Sequence, residues 1–189
     1  MMPQIVLSSK SPRRREMFSV IAKDFLTVFA DVDEGFFCEL DAESQTVNLA
    51  RMKCLAVAKD YPEAVVVGCD TLVELQGTVF GKPVDEKDAR RMLAALSGNT
   101  HNVYTGVCIY FSDADTVSFS CKTEVTFHCV NKREMDEYIA SGDSFDKAGA
   151  YGIQGMAARY IKEIKGDYFN VLGLPVSAIY RQLRGRGII

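Results

Sequence analysis

The chain has 189 residues, of which 48% are hydrophobic and 25% are charged, so it can bury a substantial core. Its formal net charge of −3 argues against broad nucleic-acid binding, because proteins that bind a phosphate backbone normally carry a basic excess. A local basic pocket remains compatible with this charge. No linker, repeat or low-complexity stretch divides the sequence, and we therefore expect a single domain over residues 1–189.

The six cysteines include no C-x-x-C pair, and several lie in apolar or alternating runs typical of small, reduced core residues. With only His101 and His128 available, a zinc site is not expected. The N-terminal residues lack the basic and apolar regions of a signal peptide, and no apolar run approaches membrane-spanning length. We therefore expect a cytoplasmic protein with no membrane partner.

The first predicted elements bring hydroxyl groups and basic side chains to the start of a helix. Residues 5–7 form a short apolar strand, and Ser11 and Pro12 are typical of a helix N-cap and a first helical position. Three arginines, at positions 13–15, follow them directly. Arginines and free backbone N–H groups at a helix start favour a phosphate ligand, whereas a solvated basic turn is the alternative. The residues alone leave both interpretations open.

After a second predicted strand at residues 26–29, an acidic loop and a helix carry further candidate side chains. Residues 31–35 include three acids, which could bind a hard cation or could simply be solvated. Residues 41–59 have the apolar spacing of a helix. Lys53 has apolar neighbours one turn away in this helix, so it could extend outward into solvent or project its ammonium into a cleft.

The chain is organised around residues 65–83. The β-branched run at residues 65–67 predicts a buried strand that ends before Asp70, which would then lie at the mouth of a sheet, where open α/β folds bind ligands. A hairpin predicted over residues 72–80 returns the chain to Lys82, which lies between a glycine and a proline. One acid and one base at strand ends suggest a site for a metal-bound anion.

The rest of the sequence continues as a mixture of helices and strands. The predicted elements are a helix capped by Asp85, a long antiparallel hairpin over residues 102–129, a helix begun by the capping box Asn131 and Glu134, a strand over residues 157–164 and a helix over residues 175–184. This mixture indicates an α/β fold.

A glycine-rich stretch, residues 146–155, interrupts this pattern. Its three glycines match neither a dinucleotide-binding fingerprint nor a P-loop. Glycines would let the backbone approach a ligand closely, and the amide of Gln154 can both donate and accept hydrogen bonds. A plain turn is the alternative interpretation.

Seven short motifs, in this order along the chain, resemble the Maf family. They are S-K-S-P-R-R at residues 9–14, G-C-D-T at 68–71, G-K-P at 81–83, L-S-G at 96–98, D-K-A-G-A-Y-G-I-Q-G at 146–155, G-D-Y at 166–168 and V-L-G-L-P at 171–175. The resemblance implies a two-lobed α/β fold, with an elongated twisted mixed sheet flanked by helices and a central cleft, similar to that of inosine-triphosphate pyrophosphatases. It also implies a homodimer that hydrolyses nucleoside triphosphates to the monophosphate and pyrophosphate, with a divalent metal cation, Mg²⁺ or Mn²⁺.

The resemblance also implies roles for individual residues. Asp70 and Lys82 would be catalytic, and Glu34 and Asp70 would hold the metal. The implied substrate-binding residues are Ser9, Arg13, Arg14, Lys53, Thr71 and Gln154. Three of these, Arg13, Thr71 and Gln154, mark the subtype that acts on dTTP, UTP and related pyrimidine nucleotides. Cys69 departs from the family pattern, which has a small residue such as alanine there.

These implied roles agree with what the residues can do chemically. A triphosphate needs cations, which Arg13, Lys53 and Lys82 supply, and Asp70 could bind the metal, take a proton from water, or both. Two alternatives remain, namely a 7-methyl-GTP pyrophosphatase and a non-catalytic nucleotide-binding regulator of cell division. The presence of both Asp70 and Lys82 favours the enzyme, because a sensor needs cations but no general base.

Overall fold

The computed structural model describes residues 3–29, 31–32 and 40–189. The helices of these ranges are α1 (Pro12–Phe18), α2 (Ala42–Ala58), α3 (Glu86–Leu96), α4 (Lys132–Ala140), α5 (Tyr168–Val171) and α6 (Val176–Gly185). The strands are β1 (Ile5–Ser8), β2 (Leu26–Val28), β3 (Val65–Leu75), β4 (Thr78–Phe80), β5 (Thr100–Ser112), β6 (Asp115–Phe127) and β7 (Ile161–Lys165). The predicted mixed α/β class is confirmed.

The described strands form one seven-stranded mixed sheet in the order β2-β1-β3-β5-β6-β7, with β4 also paired to β3. β1 runs parallel to β2 and β3, and the remaining pairs are antiparallel. On one side of β3, the pairing with β1 stops at Gly68 and the pairing with β4 starts at Val73. Among the described strands, residues 69–72 therefore have a neighbour only on the β5 side, and we call this interruption the strand gap.

Asp70 lies in the strand gap, inside β3, rather than after the end of a strand. The predicted end of the strand before Asp70 is wrong, because β3 continues to Leu75. Gly68, two residues before Asp70, serves the packing of α2 on the sheet. A Cβ atom at Gly68 would lie 2.6 Å from the carbonyl oxygen of Ala50. The opening beside Asp70 results from the ends of β1 and β4, which the sequence of β3 does not encode.

The core lies in two layers, one on each face of the sheet. Alternate residues of β3 supply both layers, because successive side chains of a strand point to opposite faces. Val66 packs with Ala50, Cys54 and other residues of α2 on one face. Val65 and Val67 pack on the other face in the larger cluster, to which α1, α3, α4 and α6 all contribute. This arrangement places α2 over the face of β3 that carries Asp70.

Local sequence explains most of the helix starts. The predicted caps at Ser11, Asp85 and Asn131 are confirmed, and each side chain accepts a hydrogen bond from a backbone N–H of the first turn. The strand predicted over residues 157–164 is partly wrong, because Met156–Tyr160 is a 3₁₀ helix. None of the helices in the described ranges is long and apolar enough to cross a membrane.

Candidate active site

One cavity of about 590 Å³ opens at the strand gap. The sequence-predicted site residues that line it are Asp70, Lys82, Arg13, Arg14, Lys53, Thr71 and Gln154. Ser9 lines a smaller adjoining cavity of about 250 Å³, which shares Arg13, Lys53 and Lys82 with the first. Glu34, the other residue with an implied role, lies outside the described residues, so its assignment as a metal ligand stays a prediction.

The charge of the larger cavity favours an anionic ligand. Its described lining includes the basic residues Arg13, Arg14, Lys53, Lys82, Arg91 and Lys147 and the acidic residues Asp70, Asp88 and Asp146. Basic side chains are thus twice as numerous as acidic ones, although the whole chain carries a net charge of −3. The low-dielectric walls of a cleft strengthen the positive electrostatic potential that such an excess of basic side chains produces.

Lys53 and Asp70 form an ion pair at the base of the cavity. Lys53 Nζ on α2 donates to Asp70 Oδ1 on β3 at 2.5 Å, and their side chains are only 14% and 10% exposed. The hydroxyl of Ser8 donates to the Lys53 backbone carbonyl at 2.9 Å and ties this turn of α2 to β1. Of the two interpretations of Lys53, the structure selects the one in which its ammonium projects into a cleft.

Arg13 is held across the mouth of the cavity by Asp146, for which the sequence analysis predicted no role of its own. Arg13 Nη1 donates to Asp146 Oδ2 at 2.8 Å, and Lys147 Nζ donates to Asp146 Oδ1 at 2.6 Å. Burial alone would raise the pKa of Asp146, but the hydrogen bonds from Lys147 and Arg13 outweigh it and lower the pKa below its ordinary value. Lys147 is also bound to Asp143. Through its bonds with Arg13 and Lys147, Asp146 connects the start of α1 with the glycine-rich stretch.

Arg14, the neighbour of Arg13, is bonded to protein groups. Its Nε donates to the carbonyl of Gly173 at 2.7 Å, Nη1 donates to the carbonyl of Cys69 at 2.9 Å, and Nη2 donates to Thr71 Oγ1 at 2.9 Å. Thr71 Oγ1 lies 3.0 Å from Thr105 Oγ1, which donates to the carbonyl of Asn170. Two adjacent arginines of α1 therefore have different surroundings, which residue type and spacing do not reveal.

Lys82 and Gln154 lie at the exposed rim of the cavity. Within the described ranges, neither side chain has an ion pair or a hydrogen bond with the protein, so both are available to a ligand. The backbone N–H of Gly149 donates to the carbonyl of Gly81 at 3.0 Å, which brings the glycine-rich stretch beside Lys82. A Cβ atom at Gly152 would lie 2.5 Å from Lys147 Cε, so the backbone at Gly152 packs closely against the Lys147 side chain.

The described residues contain no group of three or more His, Cys, Asp or Glu side chains that could hold a metal ion. The described residues do fit a metal ion that binds together with a phosphate-containing substrate. Mg²⁺ is usually bound by one or two carboxylates together with the phosphates of a substrate, and Asp70 presents one carboxylate to the cavity.

An α/β fold with a basic cavity and a partly buried acid–base pair defines a class of proteins suited to polyanionic ligands. A family model described as Maf-like protein matches residues 4–186, and the chain belongs to this family. The chain is 42% identical over 197 residues to a dTTP/UTP pyrophosphatase of Clostridium acetobutylicum, covering 98% of each. It is 42% identical over 183 residues to a dTTP/UTP pyrophosphatase of Bacillus cereus, covering 97% of this chain and 90% of that relative.

Two solved structures are similar in fold. The Ham1 protein of Staphylococcus aureus gives a TM-score of 0.57 at 17% identity, covering 97% of this chain and 99% of that one. A HAM1 protein of Coxiella burnetii gives a TM-score of 0.54 at 16% identity, covering 97% of this chain and 100% of that one. At these identities the likeness shows the fold alone.

Proposed function

We propose that the protein is a nucleoside triphosphate pyrophosphatase that hydrolyses dTTP, UTP and related or modified pyrimidine nucleotides to the monophosphate and pyrophosphate. The observation that carries this proposal is the Lys53–Asp70 pair at 2.5 Å, which lies inside a predominantly basic cavity. Relatives that are 42% identical and named dTTP/UTP pyrophosphatases support the same reaction and the same nucleotides.

The geometry suggests how the described residues perform this reaction. Arg13, Lys53 and Lys82 bind the triphosphate through charge-assisted hydrogen bonds. Lys53 engages Oδ1 of Asp70, and Oδ2 makes no hydrogen bond within the described residues, so Oδ2 can accept a proton from water. As the water oxygen bonds to the α-phosphorus, the bond from that phosphorus to the α–β bridging oxygen breaks. Lys82 and Arg13 stabilise the charge that develops on the departing pyrophosphate.

We propose that a divalent cation, Mg²⁺ or Mn²⁺, completes the site. Asp70 would hold it together with Glu34 and the phosphates. When bound, such a cation neutralises phosphate charge and polarises the reacting phosphoryl group.

A panel of nucleotides tests the function directly. Formation of the nucleoside monophosphate is measured by anion-exchange chromatography, with and without a chelator, for dTTP, UTP, CTP, ATP, GTP and 7-methyl-GTP. We expect dTTP and UTP to be hydrolysed well ahead of ATP and GTP, and the chelator to abolish turnover. If 7-methyl-GTP is the best substrate, the proposed subtype is wrong. If dTTP binds but is never hydrolysed, the protein is a nucleotide-binding regulator rather than an enzyme.

We propose further that residues 1–189 form a single domain, that the protein is a cytoplasmic homodimer, and that it has neither a nucleic-acid nor a membrane partner. The net charge of −3 supports the absence of a nucleic-acid partner. Light scattering coupled to size-exclusion chromatography measures the oligomeric state, and a monomer at micromolar concentration would contradict the dimer.

A further inference from the structure

We propose that Arg14 is a positioning residue rather than a phosphate ligand, and that it holds the Thr71 hydroxyl as a hydrogen-bond acceptor facing the nucleoside. The inference rests on the proposed nucleotide-binding function. Three nitrogens of the Arg14 guanidinium donate to three protein acceptors, which are the Gly173 carbonyl, the Cys69 carbonyl and the Thr71 hydroxyl. These bonds are 2.7 to 2.9 Å long, typical of good hydrogen bonds from a charged donor.

The strand gap explains why a guanidinium is needed here. The carbonyl of Cys69 lies where β3 has lost β1 and has not yet gained β4, so Arg14 donates to it in place of a strand. On the opposite side, Gly173 has a φ of +93°. A Cβ atom there would lie 2.9 Å from Thr71 Oγ1 and 3.3 Å from Arg14 Nε and Nη2. The backbone at Gly173 and the Thr71 side chain therefore pack closely around the Arg14 guanidinium.

The hydrogen bonds fix the direction in which the Thr71 hydroxyl points. The hydroxyl of Thr105 donates to the carbonyl of Asn170 at 2.9 Å, and a carbonyl can only accept. The single proton of Thr105 is therefore committed, and in its contact with Thr71 this residue must accept. Thr71 uses its own proton on Thr105 and accepts from Arg14 Nη2.

Thr71 consequently offers a ligand one acceptor lone pair and no donor, because a hydroxyl has one proton and two lone pairs. It lines the cavity beside Asp70. A phosphate oxygen, itself an acceptor, could not form a hydrogen bond with Thr71 here. An N–H or O–H group of the nucleoside could donate to the free lone pair of Thr71. Thymine and uracil provide such a donor at N3, and the sugar provides one at the 3′-hydroxyl.

Binding of inorganic tripolyphosphate separates a phosphate ligand from a positioning residue. Isothermal titration calorimetry compares Arg14→Gln with Arg13→Gln, which removes the same charge from the adjacent position. We expect Arg13→Gln to weaken tripolyphosphate binding about tenfold or more, and Arg14→Gln to change it by less than about threefold at physiological salt. Equal losses in the two variants would overturn the proposal.

Nucleotide binding provides a readout that a merely structural role would not move. Arg14→Lys keeps the charge but cannot reach three separate acceptors, so we expect it to reduce the ratio of the affinity for UTP to the affinity for tripolyphosphate about tenfold. Thr71→Val removes the hydroxyl at nearly the same volume and is expected to reduce that ratio similarly, whereas Thr71→Ser should restore it. An unchanged ratio in Arg14→Lys would contradict the proposal.

Two nucleotide pairs identify the donor that Thr71 accepts from. If the donor is N3–H, Thr71→Val narrows the preference of the wild type for UTP over CTP, which lacks that proton. If the donor is the sugar hydroxyl, Thr71→Val narrows the preference for dTTP over 2′,3′-dideoxythymidine triphosphate. If it narrows neither preference, the acceptor role of Thr71 is wrong.

If no nucleotide is hydrolysed, the proposed function is wrong, but the role of Arg14 can still be tested. The test is a double-mutant cycle in which unfolding is measured in urea. Arg14→Gln, Thr71→Val and the double variant are compared in their free energies of unfolding. We expect the two losses to be non-additive, because Arg14 acts through a residue it contacts. Additive losses would show that Arg14 does not act through Thr71.

Discussion

Lys53 and Asp70 meet because α2 lies directly on the backbone of the sheet. Lys53 Nζ is 2.5 Å from Asp70 Oδ1, although the two residues belong to different elements. Two glycines permit this approach, since a Cβ at Gly68 would lie 2.6 Å from the Ala50 carbonyl oxygen and one at Gly106 would lie 2.2 Å from the Thr46 carbonyl oxygen. The acid–base geometry therefore depends on residues that carry no functional side chain.

The first prediction concerns Asp70→Asn, which keeps the shape of the side chain but removes its basic oxygen. We expect kcat for dTTP to fall about 10²-fold or more, while the fold and nucleotide binding persist. Steady-state kinetics, circular dichroism and calorimetric titration with dTTP measure the three properties. Asp60→Asn, at an exposed position outside the cavity, is the matched control and should behave like the wild type. Near-wild-type turnover in Asp70→Asn would remove Asp70 from the mechanism.

Gly106→Ala tests the packing that positions Lys53. An added methyl group would collide with the backbone of Thr46, so we expect the free energy of unfolding to fall by about 1–3 kcal/mol and kcat to fall with it. Urea denaturation measures the first effect. Gly185→Ala is the control, because a Cβ at this position meets nothing within 4 Å, and alanine should there be neutral or stabilising. Equal stability of Gly106→Ala and the wild type would refute the close contact.

Arg13→Ala should raise KM for dTTP about tenfold or more, because a charge-assisted contact with phosphate is lost. Arg15→Ala removes the same charge two positions further along α1, at an exposed site that lines neither cavity. It should leave KM unchanged. If the two variants show the same kinetics, the arginine run is a solvated turn and not a phosphate site.

Gln154→Glu addresses base selectivity. The amide can pair with both a donor and an acceptor on uracil or thymine, whereas an ionised carboxylate can only accept. We expect the preference for UTP over GTP to fall about tenfold, measured as a ratio of kcat/KM values. Gln4→Glu introduces the same charge at an exposed position remote from the cavity and should leave the ratio unaltered. A retained preference in Gln154→Glu would mean that this amide does not read the base.

The buried His101 predicts a specific dependence of stability on pH. Burial lowers its pKa to about 4 from an ordinary value of 6.5. As the pH falls from 6.5 towards 4, the unfolded chain binds a proton that the folded protein does not, so the stability decreases. Between pH 7 and pH 5 this loss should be about 2 kcal/mol larger in the wild type than in His101→Gln. Urea unfolding at the two pH values measures the difference, and parallel losses would contradict it.

The parts of the structure that depend on short stretches of sequence were predictable. The cap at Ser11 and the capping box at Asn131 and Glu134 are local, because side chain and backbone partner are three residues apart. The hairpin between β3 and β4 is local in the same sense. The family resemblance implied that Lys53 and Thr71 belong to one site, and both line the same cavity, but it did not show which residues each of them contacts.

Features that depend on distant partners were not predictable. The strand predicted to end before Asp70 continues to Leu75, and Gly68 within it serves the contact with α2, which sequence periodicity does not report. The different surroundings of Arg13 and Arg14 arise from partners far along the chain, Asp146 and Gly173. The role of Asp146 was missed for the same reason, since an acidic residue beside a lysine shows no sign of the arginine that it binds.

The hydrogen bond from Arg14 to Gly173 joins residues 159 positions apart, so its formation depends on how far synthesis of the chain has proceeded. During synthesis the N-terminal part emerges first, so Lys53 and Asp70 leave the ribosome long before Gly173 does. A nascent chain arrested between α4 and α5 would contain the acid–base pair but would lack the carbonyl and the turn that secure Arg14. The orientation of the Thr71 hydroxyl by Arg14 is therefore completed late, after most of the sheet has been translated.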